Sequence, residues 1–220
     1  HCLSDKEIYD LSKALVLKYD FDDAEEPTVN VAPSLDTATY YTSFPVTNCS
    51  PYVTKFGDEP VSTNSLVVTN LSSSHESYTG GQRTGLAATV PGDTWTLSGW
   101  CKNIGAEATE IQVYIFGINS SNLYEDGSLG SSAKQIPSKS GWVRFSCTFT
   151  IGGANSVKVA FRFEVNTPLG SVAFCGVQLE KKDHATPFVN GTRDSIIVRD
   201  KSDYGNDSLP LTVANTPVFV

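Results

Sequence analysis

The sequence predicts an all-β fold, a sandwich or a barrel, from three observations. Apolar residues recur at period two in a series of short runs. Turn clusters rich in Ser, Gly and Asn separate the runs, and no helical period appears between residues 28 and 193. Composition agrees. Ser, Thr, Asn and Gly are abundant and Met is absent; Ser, Thr and Asn side chains compete with the helical backbone for its hydrogen bonds, so such a composition favours strands and turns. The 220 residues, 40% hydrophobic and 18% charged, are enough for a globular chain with a substantial core.

The elements follow in order. Residues 4–12 read as one short helix: Ser4 and Glu7 have capping-box spacing, and Leu3 with Ile8 the spacing of a hydrophobic staple. "LVLKYDF" then puts Leu15, Leu17, Tyr19 and Phe21 on one face of a strand, broken by Asp22-Asp23, Pro27 and Pro33. "SLVVTNL" and "RTGLAATV" are strands, the second closed by the Pro91-Gly92-Asp93 turn. In "TWTLSGWCKN", Leu97, Gly99 and Cys101 alternate with Thr96, Ser98 and Trp100. In "EIQVYIFGI", Ile111, Val113 and Ile115 alternate with Gln112, Tyr114 and Phe116. Residues 119–140 read as a loop. "WVRFSCTFTI" turns Val143, Phe145, Cys147, Phe149 and Ile151 inward, and "SVKVAFRFEV" does the same with Val157, Val159, Phe161, Phe163 and Val165. "SVAFCGVQLE" completes the set.

Several function classes are disfavoured. The net charge is -8 and no basic cluster exceeds Lys181-Lys182, which speaks against nucleic acid and anionic membranes as partners. No apolar run approaches the roughly 20 residues that span a bilayer. None of the five cysteines forms a C-x-x-C pair, and Cys101, Cys147 and Cys175 fall inside predicted strands at positions that alternate with polar neighbours, so they read as buried thiols, with Cys2 and Cys49 left open to a disulfide. His1, His75 and His184 are far apart in sequence, and no nucleophile elbow, metalloprotease motif or phosphate loop occurs. A glycosidase needs two carboxylates across a cleft, and nothing singles out such a pair. The reading is of a non-enzyme. The Asn-x-Ser/Thr sequons at Asn48, Asn70, Asn119, Asn190 and Asn206 arise by chance in a chain this rich in Ser and Thr.

"PGDTWTLSGWCKN", "GWVRFSCTFT" and "FCGVQLEKKDHATPFVNGTR" resemble the later strands of jelly-roll carbohydrate-binding modules, above all those of bacteriophage tail and fibre proteins. The resemblance covers about Glu26 to Arg193 and is carried most specifically by "VQLE", "ATPF" and the Gly-Thr-Arg exit. The flanks resemble another family. "LSDKEIYDL" is similar to the closing helix of a laminin-G-like, concanavalin-type sandwich, "LVLKYDF" to the opening strand of such a domain, and "RDKSDYGNDS" to the segment that follows that strand. The resemblances imply residues 1–13 as the end of one laminin-G-like domain, 14–24 as the first strand of a host domain, 25–193 as an inserted jelly roll, and 194–220 as the host resumed. Leu15–Phe21 and residues 210–220 are then expected to share a sheet, and the chain to be a piece of a longer protein.

Sugar sites set aromatic rings against the apolar face of a pyranose and read hydroxyls with polar side chains. Aromatics on the outward face of a strand are therefore the candidates: Trp100, Tyr114 and Phe116, with Trp142 at a rim and Arg144, Arg162 and Glu164 as polar partners. The alternative for each is cover by loops or by a neighbouring chain. The acidic run around Asp22, Asp23 and Glu25 offers hard oxygen ligands for a structural Ca²⁺, with a solvated acidic turn as the competing reading. The function expected from the resemblance is multivalent, non-catalytic adhesion of a phage tail fibre or other virion-surface protein to bacterial surface glycan. A homo-trimer is expected by family analogy alone. The competing expectations are a ligand-free spacer or decoration domain of a virion fibre, and an accessory module of a secreted glycoside hydrolase.

Overall fold

The computed structural model describes residues 27–36, 48–72, 78–79 and 85–194. The chain divides into two units, Val29–Gly191 and the two ends, and of the latter only residues 27–28 and 192–194 are described. The expected 4–12 helix, the Leu15–Phe21 strand, the acidic run with Asp22, Asp23 and Glu25, and the 195–220 segment lie outside the described residues. No helix occurs among those that are described.

Twelve strands are present: β1 (Thr28–Val29), β2 (Cys49–Thr54), β3 (Ser65–Asn70), β4 (Tyr78–Thr79), β5 (Ala87–Ala88), β6 (Thr94–Asn103), β7 (Thr109–Ile118), β8 (Tyr124–Ile136), β9 (Val143–Thr150), β10 (Lys158–Val165), β11 (Ser171–Glu180) and β12 (Thr192–Arg193). The first sheet has the order β2-β3-β11-β6-β9. The second runs β4-β10-β7-β8, with β5 also pairing with β10. β1 and β12 form a two-stranded ladder. The pairings recorded within the two large sheets are antiparallel. The fold is a jelly-roll β-sandwich.

The alternating residues make the core. Leu97 and Cys101 of β6, Ile111, Val113 and Ile115 of β7, Phe145 and Cys147 of β9, and Val159, Phe161, Phe163 and Val165 of β10 are buried in one cluster. Its centre is aromatic. Phe163 of the second sheet stacks on Phe174 of the first at 4.4 Å, and Phe145 meets both edge-on at 6.0 and 6.1 Å. Burying each such ring contributes about 2–3 kcal/mol, so the three phenylalanines joining the two sheets outweigh any surface contact as a source of stability.

Three expectations are corrected. Residues 119–140 are not one loop, because Tyr124–Ile136 form β8, hydrogen-bonded along β7. Its Ser- and Gly-rich sequence lacks apolar alternation; the ladder itself holds it, and a Cβ at Gly130 would collide with the Phe149 ring. "RTGLAATV" contributes only the two residues of β5 to the described strands. Val157 is exposed, since β10 starts one residue later.

Asn30 fixes the place where the chain comes into and leaves the Val29–Gly191 unit. Its side-chain oxygen accepts from the N–H groups of Leu179 and Ala32, and its amide donates to the carbonyls of Val177 and Val189, all at 3.0 Å. All four hydrogen-bonding positions of the side chain are filled. Its backbone N–H reaches Gly191 O at 2.8 Å, so the unit begins and ends at one point.

Candidate functional site

Alternation marks a residue as pointing away from the core, but a sandwich has two outsides. Trp100, on β6, and Arg144, on β9, face out of the first sheet, where they are directly paired across the ladder. Tyr114 on β7 is paired with Arg162 on β10 in the second sheet; Phe116 and Glu164 lie on the same outer face. The seven candidates therefore belong to two separate surfaces, with Trp142 just ahead of β9 on the first.

On the second sheet, Arg162 lies 4.3 Å from the Tyr114 ring centre and forms a 2.7 Å ion pair with Glu164. Burial pushes the Tyr114 phenol up to about 12, and the Glu164 carboxylate beside it pushes the same way. Tyr114, Phe116 and Glu164 are buried, Phe116 in a small apolar cluster with Ile118 and Ala160. Of the two readings open for these outward aromatics, burial favours cover over a sugar platform: both rings point out of the sandwich yet are covered. Toward one end the face is polar and tied to itself. Asn166 donates to Glu110 at 3.0 Å, and Gln135 donates to the other oxygen of Glu110 at 2.9 Å.

On the first sheet, a β-bulge in β11 shapes the surface. Cys175 pairs with Trp100 and Gln178 with Ser98, so β11 carries one extra residue there. Gly176 adopts φ +55° at the bulge, and its N–H donates to Thr63 Oγ1 at 3.2 Å. A Cβ at this position would lie 2.7 Å from a Val61 methyl carbon and 2.8 Å from the Trp100 ring. Only glycine satisfies both the left-handed φ and the close approach. Trp100 thus lies on the bulge, with the Arg144 guanidinium 4.5 Å from its ring centre.

Two loops wall this surface. Residues 55–64 contribute Val61 and are held by Glu59, whose carboxylate accepts from Phe56 N at 2.7 Å, Gly57 N at 2.8 Å and Ser65 Oγ at 2.9 Å. Residues 181–191 are anchored by Thr186, which donates from its N–H and hydroxyl to the buried Glu180 carboxylate at 2.9 and 2.8 Å. Gln178 donates to the same carboxylate at 2.7 Å and to the Thr186 hydroxyl at 3.0 Å. Between the loops is an open cleft of about 500 Å³ lined by Val61, Trp100, Arg144, Ala185, Thr186, Pro187 and Phe188.

Arg144 is partly buried and donates one hydrogen bond, from Nη2 to Thr186 O at 3.0 Å. Desolvation holds its guanidinium below the ordinary range, and the Glu180 charge pulls it back up. No carboxylate among the described residues forms an ion pair with it. Beside the cleft, on the same side of β6, Lys102 pairs with Asp58 at 2.7 Å and lies 5.4 and 5.7 Å from the rings of Phe56 and Trp142. Trp142 Nε1 donates to Asp58 at 3.1 Å. The hydrogen bonds from Lys102 and Trp142 hold the Asp58 carboxyl below its usual value.

The thiols are set apart from any chemistry. Burial pushes Cys101 and Cys175 up to about 12, and both are free and buried, as is Cys147. No group of three or more His, Cys, Asp or Glu among the described residues is arranged to hold a metal ion. The sequence reading missed Val61 and the Ala185–Phe188 wall as site residues. The signal for the bulge was present, a lone glycine inside the strand "FCGVQL".

No protein-family model and no curated protein matches the sequence. Solved structures do. The chain is similar to the enzymatically active domain of tailspike protein 4 of bacteriophage CBA120, with 13% identity over 69% of this chain and 21% of that one, and a TM-score of 0.52. It is similar to an arabinose-bound GH51 α-L-arabinofuranosidase, with 14% identity over 77% and 28% and a TM-score of 0.52. It is also similar to the CBM22-1–CBM22-2 tandem of Paenibacillus barcinonensis Xyn10C, CBM22 denoting family 22 carbohydrate-binding modules, with 12% identity over 76% and 49% and a TM-score of 0.51. The chain spans about a fifth to a half of the length of these structures. At such identities the likeness is one of fold.

Proposed function

We propose that the chain is a non-catalytic carbohydrate-binding module and that the cleft over Trp100 holds the sugar. One observation carries the reading: a partly exposed aromatic–guanidinium pair, Trp100 with Arg144, lies in an open cleft with Pro187 and Phe188. Rigid apolar side chains offer contact area for C–H faces at little entropic cost, and the guanidinium reads oxygens beside them. The described residues lining the cleft include no Asp, Glu or His, so among them are groups that bind and none of the carboxylates that hydrolyse a glycosidic bond.

The likeness of fold to a tailspike domain and to a carbohydrate-binding module supports the finer reading of a phage tail fibre or virion-surface protein that adheres to bacterial surface glycan. A shallow site of this kind binds weakly, and a homo-trimeric fibre gains through effective concentration. The single point at which the Val29–Gly191 unit begins and ends supports its reading as a module inserted in a laminin-G-like host.

The test is a glycan array and calorimetry on the whole 220-residue chain and on Trp100→Ala. The variant is expected to keep its strand signal in circular dichroism and to lose at least about tenfold in affinity, 1.4 kcal/mol. Unchanged glycan binding by a folded Trp100→Ala protein excludes the cleft. Absence of binding to any glycan returns the chain to the spacer reading.

A further inference from the structure

We infer that the saccharide taken by the Trp100 cleft is an acidic one, whose carboxylate is received by Arg144; this rests on the reading of the cleft as a sugar site. Three observations carry it. Arg144 has five N–H donors, and among the described residues the acceptor it meets is the Thr186 carbonyl. Its guanidinium carbon lies 4.5 Å from the Trp100 ring centre in the cleft lining, which leaves the N–H groups not bonded to Thr186 for a partner. Stacked guanidinium groups characteristically present their N–H edge to a carboxylate in a two-bond fork.

The nearby acid does not fill this role. Glu180 is buried, and its two oxygens accept from Thr186 N, Thr186 Oγ1 and Gln178 Nε2. It bolts down the loop wall and forms no ion pair with Arg144. Nearby, Lys102 pairs with Asp58, and His184 hydrogen-bonds Asp183 at 2.7 Å. Desolvation of Arg144 outweighs the pull of the Glu180 charge, and an incoming anion recovers part of that cost. Arg162 shows the contrary case, with its own glutamate at 2.7 Å.

The charge count selects the anion. The cleft lining offers one cation in otherwise apolar and neutral surroundings. A hexuronic or nonulosonic acid residue brings one carboxylate, which matches one guanidinium, and apolar ring faces, which match Trp100, Pro187 and Phe188. A phosphate dianion would leave charge uncompensated. Because the whole chain carries -8, attraction must come from close contact and not from long-range steering.

The experiment uses the whole chain and a panel of hexuronate- and nonulosonate-containing oligosaccharides. Each is paired with its carboxyl-reduced or methyl-esterified form, and neutral oligosaccharides complete the panel. Binding is expected from acidic members, to fall at least about tenfold on esterification, and to weaken as salt is raised. Arg144→Met is expected to lose the distinction between acid and ester, and Arg144→Lys to recover part of it. Equal affinity for acid and ester, or binding confined to neutral sugars, overturns the inference; if that binding still depends on Trp100, the sugar site stands. Silence across the panel and the array overturns both. The comparison of acid with ester on the unaltered protein decides the matter even if an Arg144 variant fails to fold.

Discussion

The two outer faces of the sandwich carry the same pair of side chains with opposite outcomes. On the second sheet Arg162 lies 4.3 Å from Tyr114, and on the first Arg144 lies 4.5 Å from Trp100. In both cases an arginine on one strand is directly opposite an aromatic on its neighbour. Arg162 has Glu164 two residues along its own strand, and the pair closes at 2.7 Å with the aromatic ring buried. At the position two after Arg144 the sequence has Ser146, and no acid among the described residues forms an ion pair with Arg144. The lesson is that an aromatic–arginine pair is structural where its charge is answered within the fold and available where it is not. The closest acid on the first sheet, Glu180, is committed to holding a loop.

The largest way to break this comparison is Glu164→Ala. It strands the partly buried Arg162 without its ion-pair partner, and a loss of about 2–3 kcal/mol is expected in urea unfolding. Affinity at the Trp100 cleft should not change, because the substitution lies on the opposite sheet. Next is Gly176→Ala, which adds a Cβ at φ +55° within 2.8 Å of the Trp100 ring. About 2 kcal/mol of destabilisation is expected from backbone strain and overpacking. A shift in Trp fluorescence and weaker glycan binding should accompany it, since the ring must move. The smallest effect on stability belongs to Arg144→Met, which gives up one hydrogen bond and a stacked cation. A loss of about 1 kcal/mol or less is expected. A loss near that of Glu164→Ala would show that Arg144 is as structural as Arg162 and would erase the contrast.

Much of the fold was legible in the sequence because the core is built from period-two alternation. "WVRFSCTFTI" and "KVAFRFEV" alternate without a break, and their inward residues meet at the Phe145–Phe163–Phe174 cluster. β8 was hidden because "YEDGSLGSSAKQI" has little apolar content to pattern; it is a strand through pairing with β7, a non-local cause. The site was half legible. Trp100 and Arg144 could be marked as outward-facing, but the Ala185–Phe188 wall could not, because it is created by Thr186 reaching back to Glu180 and Gln178. Phe116 met the same outward test as Trp100 and does point out of the sandwich, but it is buried there with Ile118 and Ala160.

The sequence by itself determined that the described residues are all-β, which residues of the long alternating strands face the core, and that Cys101 and Cys147 are buried thiols. Those properties follow from local periodicity, which a strand imposes on its own side chains. Only the tertiary structure decided which of two outsides each remaining residue faces, where the bulge at Gly176 aims Trp100, and which arginine has its charge answered. These depend on strand order and loop return between residues far apart in the chain, and no local pattern records such distances.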